Sequence, residues 1–231
     1  MQHGQILVGL MVGISSFGYS ASQSGGQWQL EAGPMVVDQS ELITTSAVSM
    51  HADLYYYANS SANYTISDQG TSEDTYSLGM YVGVNYSFSA LDIGATFYHF
   101  GEATVEQNRG LDRYWGSYYK ELSATGRLNL SGIGLYVRKP FHITDSLIFS
   151  PKLGLLFWQA STDIRVTLDE GSDDRHTWDD SSTEDGKDLY ANASLSYMFT
   201  DRIGVNADFT HFTLDGYSAN SVGLGIVIRS N

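Results

Sequence analysis

Residues Gly132–Ser161, GIGLYVRKPFHITDSLIFSPKLGLLFWQAS, decide the fold. They read as two strands joined by a tight connection containing Thr144 and Asp145. In the second strand Leu147, Phe149, Leu153, Leu155 and Phe157 share one face, while Ser150, Lys152, Gly154 and Trp158 take the other. A period of two places one face against something oily and the other against something polar. Leu156 interrupts the polar set, and Pro151 removes a ladder hydrogen bond.

The same period recurs on both sides of this hairpin. Trp28–Val37 reads as a first strand. Tyr76–Phe88 alternates most clearly, with Tyr76, Leu78, Met80, Val82, Val84, Tyr86 and Phe88 against Ser77, Gly79, Tyr81, Gly83, Asn85 and Ser87. A turn at Ser89-Ala90 leads into Leu91, Ile93, Ala95 and Phe97. The strand over Lys120–Lys139 changes phase, from Leu128 and Leu130 to Ile133, Leu135 and Val137. A bulge near Gly132 would absorb that change. Asp188–Phe199, Ile203–Thr210 and Val222–Arg229 complete eight strands. Their connections alternate: long polar stretches at Asp38–Thr75, Gly101–Tyr119 and the acidic Asp169–Lys187, short turns between, and a modest last link at Asp215-Gly216.

Composition narrows the class. The 231 residues suffice for one domain, and without cysteine no disulfide or thiolate metal site forms. A net charge of −14 argues against nucleic acid as a partner. A mean hydropathy of −0.19 excludes a bundle of membrane helices but not a membrane barrel, in which only alternate residues are apolar. Residues 1–22, with the apolar run Ile6–Ile14 and the small residues Ser20-Ala21-Ser22, read as a cleaved signal segment, leaving 23–231 as the barrel domain.

The polar face separates a lipid-embedded barrel from a soluble one. A soluble barrel shows many charges there, whereas that face of Tyr76–Phe88 carries only Gly, Ser, Asn and Tyr. Small polar side chains suit the cramped interior of eight strands. The apolar faces lack charge at their centres, as hydrocarbon contact requires. Asp38–Thr75 and Asp169–Lys187 each sum to −6, so nearly all the net charge lies in stretches expected on one side. The expected fold is therefore an all-β, eight-stranded antiparallel transmembrane up-and-down barrel, with short periplasmic turns and longer extracellular loops.

Ile143-Thr144-Asp145 with Leu147, Lys152-Leu153-Gly154, Phe157-Trp158, Tyr197 with Thr200, Ile203–Phe209, and Leu224-Gly225-Ile226 with Arg229 together resemble the OmpA-like eight-stranded outer-membrane barrel family. Tyr76–Thr96 matches that family's second and third strands. The resemblance implies a cell outer membrane location in a Gram-negative bacterium, and opposite charges that plug the lumen. Asp92, Lys152, Asp208 and Arg229 hold matching polar-face positions, with Glu31 and Arg138 joining them. The chain departs from the family in ending Ile228-Arg229-Ser230-Asn231 where members end on an aromatic residue.

Those charges are read as a fixed salt-bridge network, because unpartnered buried charges are costly. Asp169–Asp188 lacks calcium-loop spacing and is read as a solvated loop. Trp178, Tyr114, Trp115 and Tyr118 are candidate partner contacts, since aromatics amid polar residues suit recognition; the equally weighted alternative is a membrane-interface girdle or packing between extended strands. His211 with Ser218 or Ser221 lacks a geometrically complete triad. The expected protein is a non-enzymatic monomer needing no cofactor or metal. Lipid or lipopolysaccharide surrounds it, and its loops meet a host or surface ligand in adhesion or envelope integrity. The alternatives are a narrow channel for small solutes and, less favoured, a lipid-modifying barrel enzyme.

Overall fold

A computed structural model describes residues 26–43, 64–88, 91–113, 119–169 and 175–230. Ten strands follow in order: β1 (Gln27–Asp38), β2 (Tyr64–Asp74), β3 (Tyr76–Ser87), β4 (Asp92–Arg113), β5 (Tyr119–Arg138), β6 (Phe141–His142), β7 (Leu147–Asp169), β8 (Arg175–Met198), β9 (Ile203–Leu214) and β10 (Tyr217–Arg229). All pairings are antiparallel, and β1-β3-β4-β5-β7-β8-β9-β10 closes on itself through β1 and β10. The ring has eight staves, because β2 continues β3 along β4, and β6 continues β5 along β7. Closure pairs the backbone within the ring, the condition for crossing hydrocarbon with strands.

Two of the short turns repeat one piece of chemistry. Ile143-Thr144-Asp145-Ser146-Leu147 and Phe199-Thr200-Asp201-Arg202-Ile203 share the pattern of apolar residue, Thr-Asp, one further residue and apolar residue. In the first, Thr144 Oγ1 accepts from Ser146 N and Leu147 N at 3.3 and 3.0 Å. In the second, Thr200 Oγ1 accepts from Arg202 N and Ile203 N at 3.2 and 3.0 Å. A threonine hydroxyl that gathers the following amides sets each reversal. At the opposite end Asp215 and Gly216 take φ of 49° and 87°, as a two-residue hairpin turn with positive φ at both centres requires.

The wall facing away from the lumen is oily from the short turns up to the level of Leu78. Leu78 is 75% exposed, Leu224 65%, Leu153 57% and Ile226 57%. Trp28–Tyr86, Phe141–Phe149 and Tyr197–Phe199 place aromatic pairs toward the turn end, as an interfacial girdle does. The eight steps from Phe149 to Phe157 rise about 20 Å at a tilt near 40°, close to the apolar height of a membrane barrel. No soluble surface leaves a continuous belt of this kind to water.

The phase change in β5 has a different origin from the bulge expected near Gly132. β5 pairs β7 without a register break from Glu121↔Asp169 to Arg138↔Lys152. Leu128, Leu130, Gly132 and Gly134 all point inward, and Ile133, Leu135 and Val137 all point outward. What changes is the environment. Below Ser131 the outside is oily; above it the inside is, and Leu122, Ala124 and Leu128 face a second apolar core. The register break lies instead in β4, between His99 and Glu102. There Gly101 adopts a φ of +81° that favours glycine, and a Cβ would lie 2.6 Å from Leu78 O.

All three expected long loops contain strand, and the end of Asp38–Thr75 is β2. Gly101–Tyr119 is largely upper β4, and the acidic stretch Asp169–Lys187 is mostly upper β8, paired to β7 from Arg175↔Asp169 onward. A membrane strand needs about 9–11 residues, yet β4, β5, β7 and β8 run 22, 20, 23 and 24 residues. With β2, they continue past the oily band as a five-stranded sheet ordered β2-β4-β5-β7-β8. Its inner face holds Ala103, Val105, Leu122, Ala124, Ile164, Val166 and Leu168. Its outer face carries exposed Glu102, Glu106, Arg127 and Asp163.

Candidate functional site

The lumen is filled in layers. Nearest the short turns, Ile148, Met198 and Val227 form a small apolar stopper. Above it lies a charged layer. Glu31 Oε1 accepts from Arg138 Nη1 at 2.5 Å and from Gln29 Nε2 at 2.7 Å, and Glu31 Oε2 accepts from Lys152 Nζ at 2.6 Å. Arg138 also donates to Asp92 Oδ2, from Nε at 2.8 Å and Nη2 at 2.5 Å, and to Asn85 Oδ1 at 2.7 Å. Lys152 Nζ lies 3.7 Å from Asp208 Oδ1. Asp208 Oδ2 accepts from Tyr81 Oη at 2.8 Å and from Asn206. Asn192 Nδ2 donates to Thr210 Oγ1 at 2.7 Å.

Of the six charges singled out in the sequence, Glu31, Asp92, Arg138, Lys152 and Asp208 form this connected set, each 6% exposed or less. Arg229 does not touch an acid within it. Its Nε donates to Gln29 Oε1 at 2.9 Å, and Gln29 passes the link to Glu31. Three acids and three bases therefore share the layer, and every stave of the ring supplies a member. Gln29, Tyr81, Asn85, Asn192 and Asn206 were not read from the sequence as part of it. Their signal was polar residues on inward positions of the alternation, but neutral amides and phenols fit such positions without any network.

Above the charges comes an aromatic layer of Tyr98, Phe100, Tyr136, Trp158, Tyr190 and Phe212 with Leu156. Leu156 does not break a polar face; the lumen itself is apolar at that height. Tyr98 meets Phe212 edge-on at 5.1 Å, and Tyr190 stacks on Phe212 at 5.8 Å. Glycines on neighbouring strands make room for the rings. A Cβ on Gly134 would lie 2.7 Å from Tyr190 Oη, and one on Gly154 2.6 Å from Tyr190 Cε1. One space, among Tyr81, Lys152, Asn192 and Asp208, is about 10 Å³, room for roughly one water centre.

The segment after β1 crosses the top of the lumen. Gln39 is fully buried, and its Nε2 donates to Ser77 Oγ at 2.6 Å. Leu42 packs against both the aromatic layer and the upper apolar core. Glu41 Oε2 accepts from Ser218 N at 2.9 Å and Ser218 Oγ at 2.7 Å, fastening the segment to β10. Those two donors hold the Glu41 carboxyl below the ordinary glutamate range.

The aromatics expected to meet a partner fare differently. Trp178 lies on upper β8 opposite Val166, half-buried and packed against the inner apolar core, as the alternative of packing between extended strands has it. The indole belongs inside because the loop it was assigned to is a strand whose even positions face inward. Tyr114, Trp115 and Tyr118 lie outside the described residues. His211 stands exposed on the outer wall with its ring 2.9 Å from Asn220 Oδ1. Ser221 is buried in the lumen, and the Ser218 hydroxyl is committed to Glu41. These groups form no nucleophile–base pair. Among the described residues no group of His, Asp or Glu is arranged to hold a metal.

A scan against protein-family models finds no match, and a search of curated proteins finds none of significance. Solved structures do match. Ail, the attachment invasion locus protein of Yersinia pestis, solved with the heparin analogue sucrose octasulfate, is 12% identical over 89% of this chain and 99% of its own, with a TM-score of 0.41. Neisserial surface protein A is 13% identical over 89% of this chain and 97% of its own, with a TM-score of 0.40. The outer membrane protein OprG from Pseudomonas aeruginosa is 12% identical over 88% and 95%, with a TM-score of 0.40.

Proposed function

We propose that this chain is a non-enzymatic outer-membrane barrel of a Gram-negative bacterium whose lumen is sealed and whose work is done by the strand extension outside the cell. The observation that carries this reading is the packed interior among the described residues: a stopper, a polar layer whose charged and neutral members come from all eight staves, an aromatic layer and a strap, with room for about one water centre in the space beside Lys152 and Asp208. A barrel that conducts needs a continuous wet path, and this one spends its interior on rigidity. The oily belt anchors the protein in lipid. The extension then presents an acidic, mostly polar outer surface in surface interaction or adhesion. That sign suits cationic partners and opposes sulfated polysaccharides, by like-charge repulsion.

The chain contains no cysteine, so a single introduced thiol reports cleanly on sidedness. On intact cells a membrane-impermeant maleimide is expected to label Ser181→Cys on the extension and to spare Asp145→Cys in a short turn. In planar bilayers the purified barrel is expected to give no steady conductance. Labelling of the turn on intact cells overturns the orientation, and stable single-channel currents overturn the sealed lumen in favour of a narrow channel.

A further inference from the structure

One amide in the lumen has a hydrogen-bonding need that the protein does not meet. Asn192 is 7% exposed, and its Nδ2 donates to Thr210 Oγ1 at 2.7 Å and to Asp208 Oδ1 at 3.4 Å. Those two acceptors fix which way the amide faces, since a flipped amide would set its carbonyl against the Asp208 carboxylate. Among the described residues nothing donates to Asn192 Oδ1. An amide oxygen shut away from solvent without a donor is costly, and native proteins seldom leave one so.

Its cross-strand partner has the opposite need. Lys152 stands directly across from Asn192, and Asp208 follows on β9. The ammonium holds three protons. Glu31 Oε2 takes one at 2.6 Å, and Asp208 Oδ1 lies 3.7 Å away, too far for a hydrogen bond. Asp208 Oδ2 already accepts from Tyr81 Oη and Asn206, so Oδ1 is the oxygen short of donors. All three residues line the same space of about 10 Å³. A polar contact stretched past 3.5 Å beside such a space is a place for a bridging water. Size and charge both select that occupant. The space takes one water-sized centre. Lys152 opposes a metal cation, Asp208 opposes an anion, and an apolar occupant leaves Asn192 Oδ1 unmet. Water accepts from Lys152 Nζ and donates to Asn192 Oδ1 and Asp208 Oδ1, which makes the three hydrogen bonds typical of a buried water.

We propose that one buried water is a fixed member of the charged layer, held by Lys152, Asn192 and Asp208, and that it joins three consecutive staves where direct contact falls short. Asn192, a neutral residue, positions it. The proposal deepens the reading of a sealed lumen, on which the slow exchange of this water rests.

The test is a crystal structure of the full barrel at a resolution that shows ordered water, for the parent and for Asn192→Leu. The expected parent density is a single isolated peak about 2.5–3.2 Å from Lys152 Nζ, Asn192 Oδ1 and Asp208 Oδ1, and the variant is expected to lose it. Magnetic relaxation dispersion of solvent oxygen, recorded on both proteins in lipid nanodiscs, is expected to show one fewer long-lived water in the variant. Heat-dependent gel mobility verifies that the variant is folded, and the parent density decides the question if it is not. No peak in the parent, Lys152 bonded directly to Asp208, a peak that survives in Asn192→Leu, or equal dispersion in the two proteins each overturns the bound water. Conductance is read separately. A bound water in a barrel that conducts keeps the site and removes the seal, whereas no bound water in a barrel that does not conduct removes the site and keeps the seal.

Discussion

Glu31→Gln is the sharpest perturbation of the lumen. The carboxylate is 1% exposed and receives charge-assisted bonds from Arg138 at 2.5 Å and Lys152 at 2.6 Å. Each is worth about 1.5–3 kcal/mol. Glutamine keeps the shape and one acceptor, so part of the Arg138 contact survives, and Arg138 retains Asp92 and Asn85. Lys152 fares worse, since its other acid is Asp208 at 3.7 Å. A buried ammonium with so distant a partner brings the expected cost to about 3 kcal/mol, at the lower end for breaking a buried pair. Removing that ammonium as well, in Glu31→Gln/Lys152→Met, is expected to recover about 1–3 kcal/mol relative to the sum of the single variants. Urea unfolding from lipid vesicles, followed by tryptophan fluorescence and by gel mobility, measures both quantities. A Glu31→Gln barrel within about 1 kcal/mol of the parent, or strict additivity in the cycle, would refute the claim that Glu31 organises the layer.

Three further outcomes are expected. Leu155→Lys, outward at mid-height between Leu135 and Leu189, should lose about 2–4 kcal/mol in vesicles, whereas Ser161→Lys above the band should change stability by less than about 0.5 kcal/mol. Gly134→Val should cost about 1–3 kcal/mol by driving into Tyr190, and Tyr190→Leu in the same chain should return most of it; an unrelieved loss places the clash elsewhere. Carbon NMR of the Glu41 carboxyl should titrate below the ordinary 4.5, and Ser218→Ala should move its midpoint back up. Because the folded value is depressed, the strap's contribution is present above about 4.5 and fades as pH falls through the lowered midpoint. An unshifted midpoint in the parent removes the latch.

The layers explain why one strand serves two solvents. In β7, Leu153, Leu155 and Phe157 face lipid while Lys152 faces the charged layer; farther along the same strand, Asp163 and Arg165 face water while Ile164 and Val166 face an apolar core. The alternation never slips. Only the polarity assigned to each side reverses where the strand leaves the membrane.

Much was legible in residue order alone. A period of two depends only on backbone geometry, so the eight staves, the short Thr-Asp turns, the uncharged outer wall and the inward placement of Asp92, Lys152 and Asp208 could be read directly. A residue's partner across the lumen could not. Gln29 relays Arg229 to Glu31 because the closed ring brings β1 and β10 together, and no local pattern encodes that meeting. The acidic stretch Asp169–Lys187 looked like loop because strand propensity is weak for Asp, Ser and Gly; the pairing of its residues 175–187 to an already straight β7 overrides that propensity. The apparent bulge at Gly132 was misplaced for a related reason. Hydrophobicity reports which side of a strand is dry, and only the assembled barrel decides whether the dry side is lipid or core.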